Sequence, residues 1–370
     1  MEPGIHLAET DEEKEAVFRF RYDVYVEEMG RYGAVADHEN RLLSEPEDDT
    51  ARIAYAVDDD GLVVGTARSN WGGDGPFSER QVDEYGLAPF LAEVPLEAMT
   101  VGERGMVAPH LRGTDLWFQL LSGSFDWVNE QRIQLTFGAC EPHLLNVYLA
   151  IGMRTFAEQN INTPEAGYLI PLLFVPEDVA YLRRIGSPLA DHVRDFGDDA
   201  RIPACVEGLT AEQSAVTSQL LSSPHEYWTE IHDALGGLAG SRVAAFDGLT
   251  EEEATRTLGK SNIIECSAGD RVLKKGGVAR NMFVVLDGTL EVRDGDRCVK
   301  VLGPGEVFGE MAFLLERPRT MDVYAATDGC RVLSLSEGTL RKTIDSDPEV
   351  AAHVLLNISK MLCLRLVTES

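Results

Sequence analysis

The sequence predicts an α+β protein of two domains joined by a helical linker, and three observations carry that reading. The first half alternates strand-like and helix-like apolar runs, with an Asp-Gly turn between two early strand patterns. A Gly-, Asp- and Pro-rich stretch, GSPLADHVRDFGDDARIPAC, then interrupts the pattern from Gly186. From Phe246 onward, short strands recur between glycine turns. At 370 residues the chain exceeds what one core usually covers, so two domains are expected. The layout is a mixed sheet with helices over residues 1–185, a helical linker over 186–240, and a β-barrel or jelly roll with flanking helices over 241–370.

Each element follows from local pattern. KEAVFRFRYDVYVEEMG repeats its apolar residues at helical spacing. ARIAYAVDDDGLVVGTARSN reads as two strands around Asp60-Gly61, a strong hairpin signal. LEAMTVGERGMVA follows as a strand, LWFQLLSGSFDWVNEQ as a helix, IQLTFGAC as a strand, HLLNVYLAIG as a helix and AGYLIPLLFVP as a further apolar run. In the linker, Thr210 and Gln213 have the spacing of a capping box, and HEYWTEIHDAL reads as a helix. Thr250 and Glu253 repeat that box before a short helix. Asp287-Gly288 and Asp294-Gly295 punctuate the later strands as hairpin turns. In the final helix, Val350, Val354, Leu355, Ile358 and Leu362 fall on one stripe.

Composition narrows the function classes. The formal net charge of −29 repels nucleic acid and anionic membrane surfaces, and no basic stripe overrides it locally. There is no apolar run long enough to span a bilayer and no apolar h-region after the N-terminus, so cytoplasmic residence is expected. Cys140, Cys205, Cys266, Cys298, Cys330 and Cys363 are scattered, which argues against a disulfide framework or a metal site.

The segment VFGEMAFLLERPRTMDVYA, from Val307 to Ala325, has the chemistry of an anion cradle. A helix starting after Gly309 presents free N–H groups from Glu310 and Met311, Gly309 permits close backbone approach, and Arg319 can fork onto phosphate oxygens. Asp322 would repel a phosphate by roughly 3 kcal/mol at about 6 Å. Strand alternation, however, puts it on the face opposite Arg319, grouped with Thr320. Residues from about 240 to the end resemble a cyclic-nucleotide-binding domain. The resemblance rests on Ala268-Gly269-Asp270, on Phe283 to Leu290, and on Gly303-Pro304-Gly305 with Phe308-Gly309-Glu310 and Pro318-Arg319-Thr320. It implies cyclic AMP or cyclic GMP as ligand, with Glu310 accepting from the ribose hydroxyl and a contact from Thr320. Met321 and Asp322 depart from that family's usual small and hydroxyl residues. The helix after the barrel is expected to act as a lid, as a dimer seam, or as both.

Residues from about 5 to 175 resemble the GCN5-related N-acyltransferases. Met106-Val107-Ala108-Pro109-His110-Leu111-Arg112-Gly113 looks like the strand and turn that hold the acyl donor, and Tyr148 to Gly152 looks like a late motif of that fold. Phe20 to Gly30 and Gly65-Thr66-Ala67-Arg68 are similar to the acyl-homoserine-lactone and N-acyl amino acid synthase branch. The resemblance implies acyl transfer from an acyl carrier protein or CoA thioester to an amine. Met106, Val107, Arg112 and Gly113 would then bind the donor, and Arg21, Arg68 and Arg104 the acceptor. Glu103 is the candidate base and Tyr148 the candidate acid, and a backbone N–H at Met106–Val107 would serve the oxyanion. The turn after Arg112 lacks the two later glycines usual for pyrophosphate and carries Asp115, which favours a carrier-protein donor.

Together these features predict an acyltransferase switched by a cyclic nucleotide, with no metal, no nucleic acid and no membrane, and with a homodimer left open. Cyclic-AMP-regulated protein acetyltransferases of actinobacteria resemble this pairing in reversed domain order. Two alternatives stand beside it: a non-enzymatic sensor with a degenerate transferase fold, and an autoinducer synthase using S-adenosylmethionine.

Overall fold

The computed structural model describes residues 1–157, 160–163, 165, 167–207, 216–218, 227, 246–258, 261–277, 281–315 and 317–368. The helix start expected at Thr210 and the helix expected over 225–235 fall outside them, Tyr227 apart. Two compact units divide the chain. The first comprises Met1–Cys140, Val147–Ala157 and Pro164–Thr210; the second comprises Glu141–Asn146, Glu158–Thr163 and Ala211–Ser370. The protein is of mixed α+β class, as the sequence pattern predicts.

The first unit is built on a mixed sheet. Its strands are β1 (Gly4–Leu7), β2 (Arg52–Val57), β3 (Val63–Trp71), β4 (Met99–Val107), β5 (Leu135–Cys140), β6 (Arg154–Thr155) and β8 (Gly167–Phe174), while β7 (Ile161–Thr163), before β8 in sequence, falls in the second unit. The sheet order runs β1-β2-β3-β4-β5-β8-β6. The expected Asp60-Gly61 hairpin joins β2 to β3, with Gly61 in the left-handed region that its turn requires. β4 and β5 are parallel, and their ladder stops at Val101–Phe137 although β4 runs on to Val107 and β5 to Cys140. The two strands therefore diverge, and the edge of β4 beyond Val101 has no ladder partner on the β5 side.

Helix α1 (Asp11–Arg21) opens on a reciprocal cap between Thr10 and Glu13 and continues as a π-helical stretch over Tyr22–Glu28. The helical pattern over 116–131 divides at Gly123 into Leu116–Ser122 and Phe125–Gln131. The Gly/Asp/Pro-rich stretch is tied to the first unit: Asn129 donates to the His192 carbonyl and accepts from the Arg194 N–H, and Leu189 is buried.

The second unit holds two antiparallel sheets. One has the order β15-β12-β17-β10-β9, formed by β9 (Val216–Ser218), β10 (Asn262–Cys266), β12 (Asn281–Asp287), β15 (Val307–Phe308) and β17 (Cys330–Ser336). The other has the order β11-β16-β13-β14, formed by β11 (Arg271–Leu273), β13 (Leu290–Asp294), β14 (Arg297–Leu302) and β16 (Asp322–Ala325). Asp294-Gly295 closes the β13–β14 hairpin. Asp287-Gly288, read from sequence as a hairpin turn, instead carries the chain from one sheet to the other. Met282, Val284 and Leu286 of β12 face helical cover, packing with Leu258, Phe313, Val354 and Ile358. Alternation sends Asn281 and Phe283 to the opposite face, where Phe283 stacks on Phe308 at 5.0 Å. The final helix, Pro348–Thr368, buries Val350, Val354 and Ile358 of the predicted stripe. The Thr250–Glu253 capping box is present. Among the described residues, no helix is long and apolar enough to cross a membrane.

Candidate functional site

In the first unit the expected acceptor residues converge through a bulge in β4. The β3–β4 pairing steps from Thr66–Met106 to Arg68–Glu103, so β4 carries one extra residue there, and Arg104 takes a left-handed φ of 55°. Neighbours on a regular strand face opposite ways, but the bulge brings both Glu103 and Arg104 into one buried cluster. Arg68 donates to Glu45 at 2.9 Å and to Glu103 at 2.7 Å. Arg104 forks onto Glu45 and lies over the Tyr32 ring at 4.6 Å. Arg21 donates from Nη1 alone to both Asp48 oxygens, at 2.7 and 2.9 Å, and among the described residues its Nε and Nη2 have no hydrogen-bond partner.

Glu103 also accepts from Arg80 at 2.9 and 3.0 Å, from Gln81 at 2.8 Å and from Tyr85 at 3.3 Å. Burial works to raise its pKa, but Arg68, Arg80 and Arg104 overcome this and hold the carboxyl well below the usual range. Five donors on one carboxylate leave little room for a further proton, so the geometry makes Glu103 an anchor for two arginines rather than a ready base. Arg80 binds Glu47 and Glu84 as well, so Arg21, Arg68, Arg80 and Arg104 stand against five carboxylates, those of Glu45, Glu47, Asp48, Glu84 and Glu103.

The donor-turn residues lie elsewhere on β4 and beyond it. Met106 and Val107 pair with Thr66 and Gly65 on the β3 side. Arg112 forks onto Glu28 at 2.7 Å for each bond, and Gly113 has φ 84°. Tyr148 sits with its ring 6.1 Å from that of Trp117, whose indole lies so close over Gly105 that a Cβ there would come within 2.2 Å of it. Sequence reasoning missed Glu45, Asp48, Arg80, Gln81 and Tyr85. Only the Ser78-x-x-Gln81 spacing, which forms a real capping box, was available to mark any of them.

In the second unit the cassette residues Phe308, Gly309, Glu310, Met311, Arg319 and Thr320 sit around β15 and the helix Glu310–Leu315. Arg319 is 5% exposed. It donates to the Gly309 carbonyl at 2.6 Å, and to the Asn281 carbonyl and Oδ1 at 2.5 and 2.7 Å. Its Nε is buried without a hydrogen-bond partner among the described residues, and Glu310 and Glu141 act on its charge through space. Burial pushes its pKa down to about 10 against the pull of Glu310. Gly309 has φ 78°, and a Cβ there would stand 2.7 Å from Arg319 Nη1. Strand β16 begins only at Asp322, so the expected alternation from Arg319 does not apply; Asp322 is half-buried and accepts from the Lys275 N–H at 3.0 Å. Thr320 and Met311 are exposed.

Comparison with known proteins fits this geometry. Residues 263–347 match the family model of the cyclic nucleotide-binding domain, and the second unit carries a domain of that class. The cAMP-dependent protein kinase regulatory subunit of Eremothecium gossypii is 28% identical over 124 residues, which is 33% of this chain and 27% of that protein. A cyclic nucleotide-gated potassium channel of Rhizobium etli is 38% identical over 87 residues, 24% of each chain. The chain thus spans about a quarter of the length of these curated relatives. Among solved structures, the CoA-dependent acyl-homoserine lactone synthase BjaI, with SAM and isopentyl-CoA, aligns at TM-score 0.36 and 20% identity over 52% of this chain and 89% of its own. A cyclic nucleotide-binding domain from Methylobacillus flagellatus aligns at TM-score 0.35 and 18% identity over 42% and 85%.

Proposed function

We propose that the protein is an N-acyltransferase, moving an acyl group from an acyl carrier protein or CoA thioester to an amine, and that a cyclic nucleotide bound by the second unit switches it. The observation that carries the regulatory half is Arg319, a buried guanidinium whose hydrogen bonds, among the described residues, go to neutral oxygens, beside a glycine at which a Cβ would stand 2.7 Å from its Nη1. A cyclic phosphodiester supplies an anion, through charge-assisted bonds of roughly 1.5–3 kcal/mol each.

The transfer half is supported by the divergence of β4 from β5, which leaves the β4 backbone near Met106 and Val107 open on one side, and by the sequence resemblance of that strand and turn. In this reading the donor arm runs along Met106–Val107 toward Arg112 and Gly113. The amine meets the wall of Arg21, Arg68 and Arg104, where a substrate carboxylate exchanges with Glu45 or Asp48. Tyr148 returns the proton to the departing thiolate. Glu103 positions Arg68 and Arg80, and proton removal from the amine falls to another group or to water.

A second reading, a cyclic-nucleotide-responsive sensor without enzyme activity, is favoured by two engagements: Glu103 is saturated with donors, and Arg112 is committed to Glu28. One assay separates them. Purified protein is given acyl-CoA and acyl carrier protein thioesters with a panel of amines, with and without saturating cyclic AMP or cyclic GMP, and thiol release is followed. Transfer that changes severalfold with nucleotide is expected. Equal rates in all nucleotide states refute the switch. No transfer from any donor, with calorimetric nucleotide binding intact in wild type and lost in Arg319→Ala, selects the sensor.

A further inference from the structure

We propose that Asn281 is a positioning residue for the anion site of the second unit, holding the Arg319 guanidinium in place through neutral contacts that do not themselves neutralise its charge. This rests on the reading of the cassette as an anion site. Guanidinium has only donors, so the Asn281 side-chain atom 2.7 Å from Arg319 Nη2 must be the oxygen. The amide nitrogen is then directed to Ser334 Oγ at 3.1 Å. Asn281 and Ser334 are both buried, on the adjacent strands β12 and β17. The amide is therefore fixed at both ends, and the backbone carbonyl of the same residue supplies a second acceptor at 2.5 Å. With the Gly309 carbonyl at 2.6 Å on Nη1, both terminal nitrogens are held, among the described residues, by neutral oxygens.

The contrast with the first unit shows what the neutral partner does. There Arg21, Arg68, Arg80 and Arg104 each have at least one carboxylate within ion-pair distance. An aspartate at position 281 would have nearly the same shape as asparagine, reach the same nitrogen and neutralise it. An arriving phosphate would then compete with a built-in carboxylate and meet its repulsion. With asparagine, orientation is fixed and the positive charge is kept for the ligand.

The test uses the full chain and three proteins: wild type, Asn281→Asp and Asn281→Ala. Calorimetry with cyclic AMP and cyclic GMP reads affinity, and thermal midpoints at pH 8 read folding without ligand. Expected is a loss of affinity of roughly tenfold or more in Asn281→Asp, exceeding the loss in Asn281→Ala, while the Asn281→Asp midpoint at pH 8 equals or exceeds that of wild type. A purely structural role gives the reverse order, with Asn281→Ala the weaker binder and Asn281→Asp near wild type, and that order overturns the proposal. If wild type binds neither nucleotide, the cassette reading fails. The ligand-free midpoints still decide the Asn281 claim: Asn281→Asp should equal or exceed wild type, because a carboxylate there meets the buried guanidinium, and Asn281→Ala should fall below both. An Asn281→Asp midpoint well below that of wild type refutes a positive charge held beside position 281.

Discussion

Substituting Gly309 by alanine tests whether the glycine exists for Arg319 or only for its backbone angle. Gly295 is the control: its φ is 61° and a Cβ there meets nothing within 4 Å, whereas Gly309 has φ 78° with Arg319 Nη1 at 2.7 Å, the Asn281 carbonyl at 3.2 Å and Leu273 Cδ1 at 3.3 Å. Both alanines incur the left-handed penalty of roughly 1–2 kcal/mol. Only the methyl group added by Gly309→Ala must also displace the guanidinium. Arg319 then surrenders its bond to the Gly309 carbonyl and weakens those to Asn281, and a hydrogen bond to a charged group contributes roughly 1.5–3 kcal/mol. Gly309→Ala should therefore cost about 2 kcal/mol more than Gly295→Ala. The described tryptophans with contacts, Trp71, Trp117 and Trp127, belong to the first unit, so their fluorescence does not report this change. Amide hydrogen exchange in peptides covering β12 and β15 does, and the extra loss corresponds to roughly a thirtyfold fall in protection there. Nucleotide affinity should fall in Gly309→Ala and stay near wild type in Gly295→Ala. Equal losses of protection in the two variants, with nucleotide binding intact in both, would refute the close-approach argument.

Three further outcomes follow from the first unit. Glu103→Gln removes the counter-ion that Arg68 and Arg80 share, while Glu45, Glu47 and Glu84 remain paired with them, so chemical denaturation followed by tryptophan fluorescence should show a loss of roughly 1–3 kcal/mol; an unchanged midpoint with only catalysis lost would restore Glu103 as a base. Because its folded pKa is depressed, the Glu103 contribution is complete above the unfolded value of about 4.3 and is lost as pH falls through the folded value, so wild type should weaken steeply in acid and Glu103→Gln should lack that part of the slope. Glu28→Gln frees the half-exposed Arg112 at a stability cost below about 1 kcal/mol, and it should lower the apparent KM for acyl-CoA more than for an acyl carrier protein if Arg112 meets the pyrophosphate. Gly105→Ala places a Cβ 2.2 Å from the Trp117 ring, so the indole must move, with a red-shifted emission and an overpacking loss of roughly 1–3 kcal/mol measured by denaturation.

What the sequence revealed was what is local. The period of 2 in ARIAYAV and LVVGTARSN and the Asp60-Gly61 pair specify the β2–β3 hairpin, whereas parity could not be applied across residues 319–322, because the strand begins only at Asp322. The Thr250–Glu253 box needed only a three-residue spacing. The parallel β4–β5 pair and its divergence depend on where two distant strands stop pairing, which no single run encodes. Glu45 and Asp48, in SEPEDD, carry no pattern of their own, because the arginines that pair with them come from α1, β3 and β4. Asp287-Gly288 shows the limit of turn signals: the residues specify a positive φ at Gly288 but not whether the flanking strands pair. Asn281, an ordinary polar residue at the head of an apolar strand, carried no motif.

The two units handle buried arginine in opposite ways, and the difference bears on which of them accepts an anion. In the first, four arginines are matched by five carboxylates, so an incoming anion gains only what it can take from Glu45, Asp48 or Glu103. Such exchange is selective, since a ligand must reproduce the displaced carboxylate's geometry, but it returns little net free energy. In the second, the hydrogen bonds of Arg319 go, among the described residues, to neutral oxygens, and burial lowers its pKa against the pull of Glu310 and Glu141. An anion arriving there displaces no hydrogen-bonded carboxylate of the described residues and offsets the burial of the charge directly. Strong binding energy is therefore available at Arg319, and shape selection at Arg21, Arg68 and Arg104. That is the division expected if the second unit senses an abundant small anion and the first discriminates among substrates.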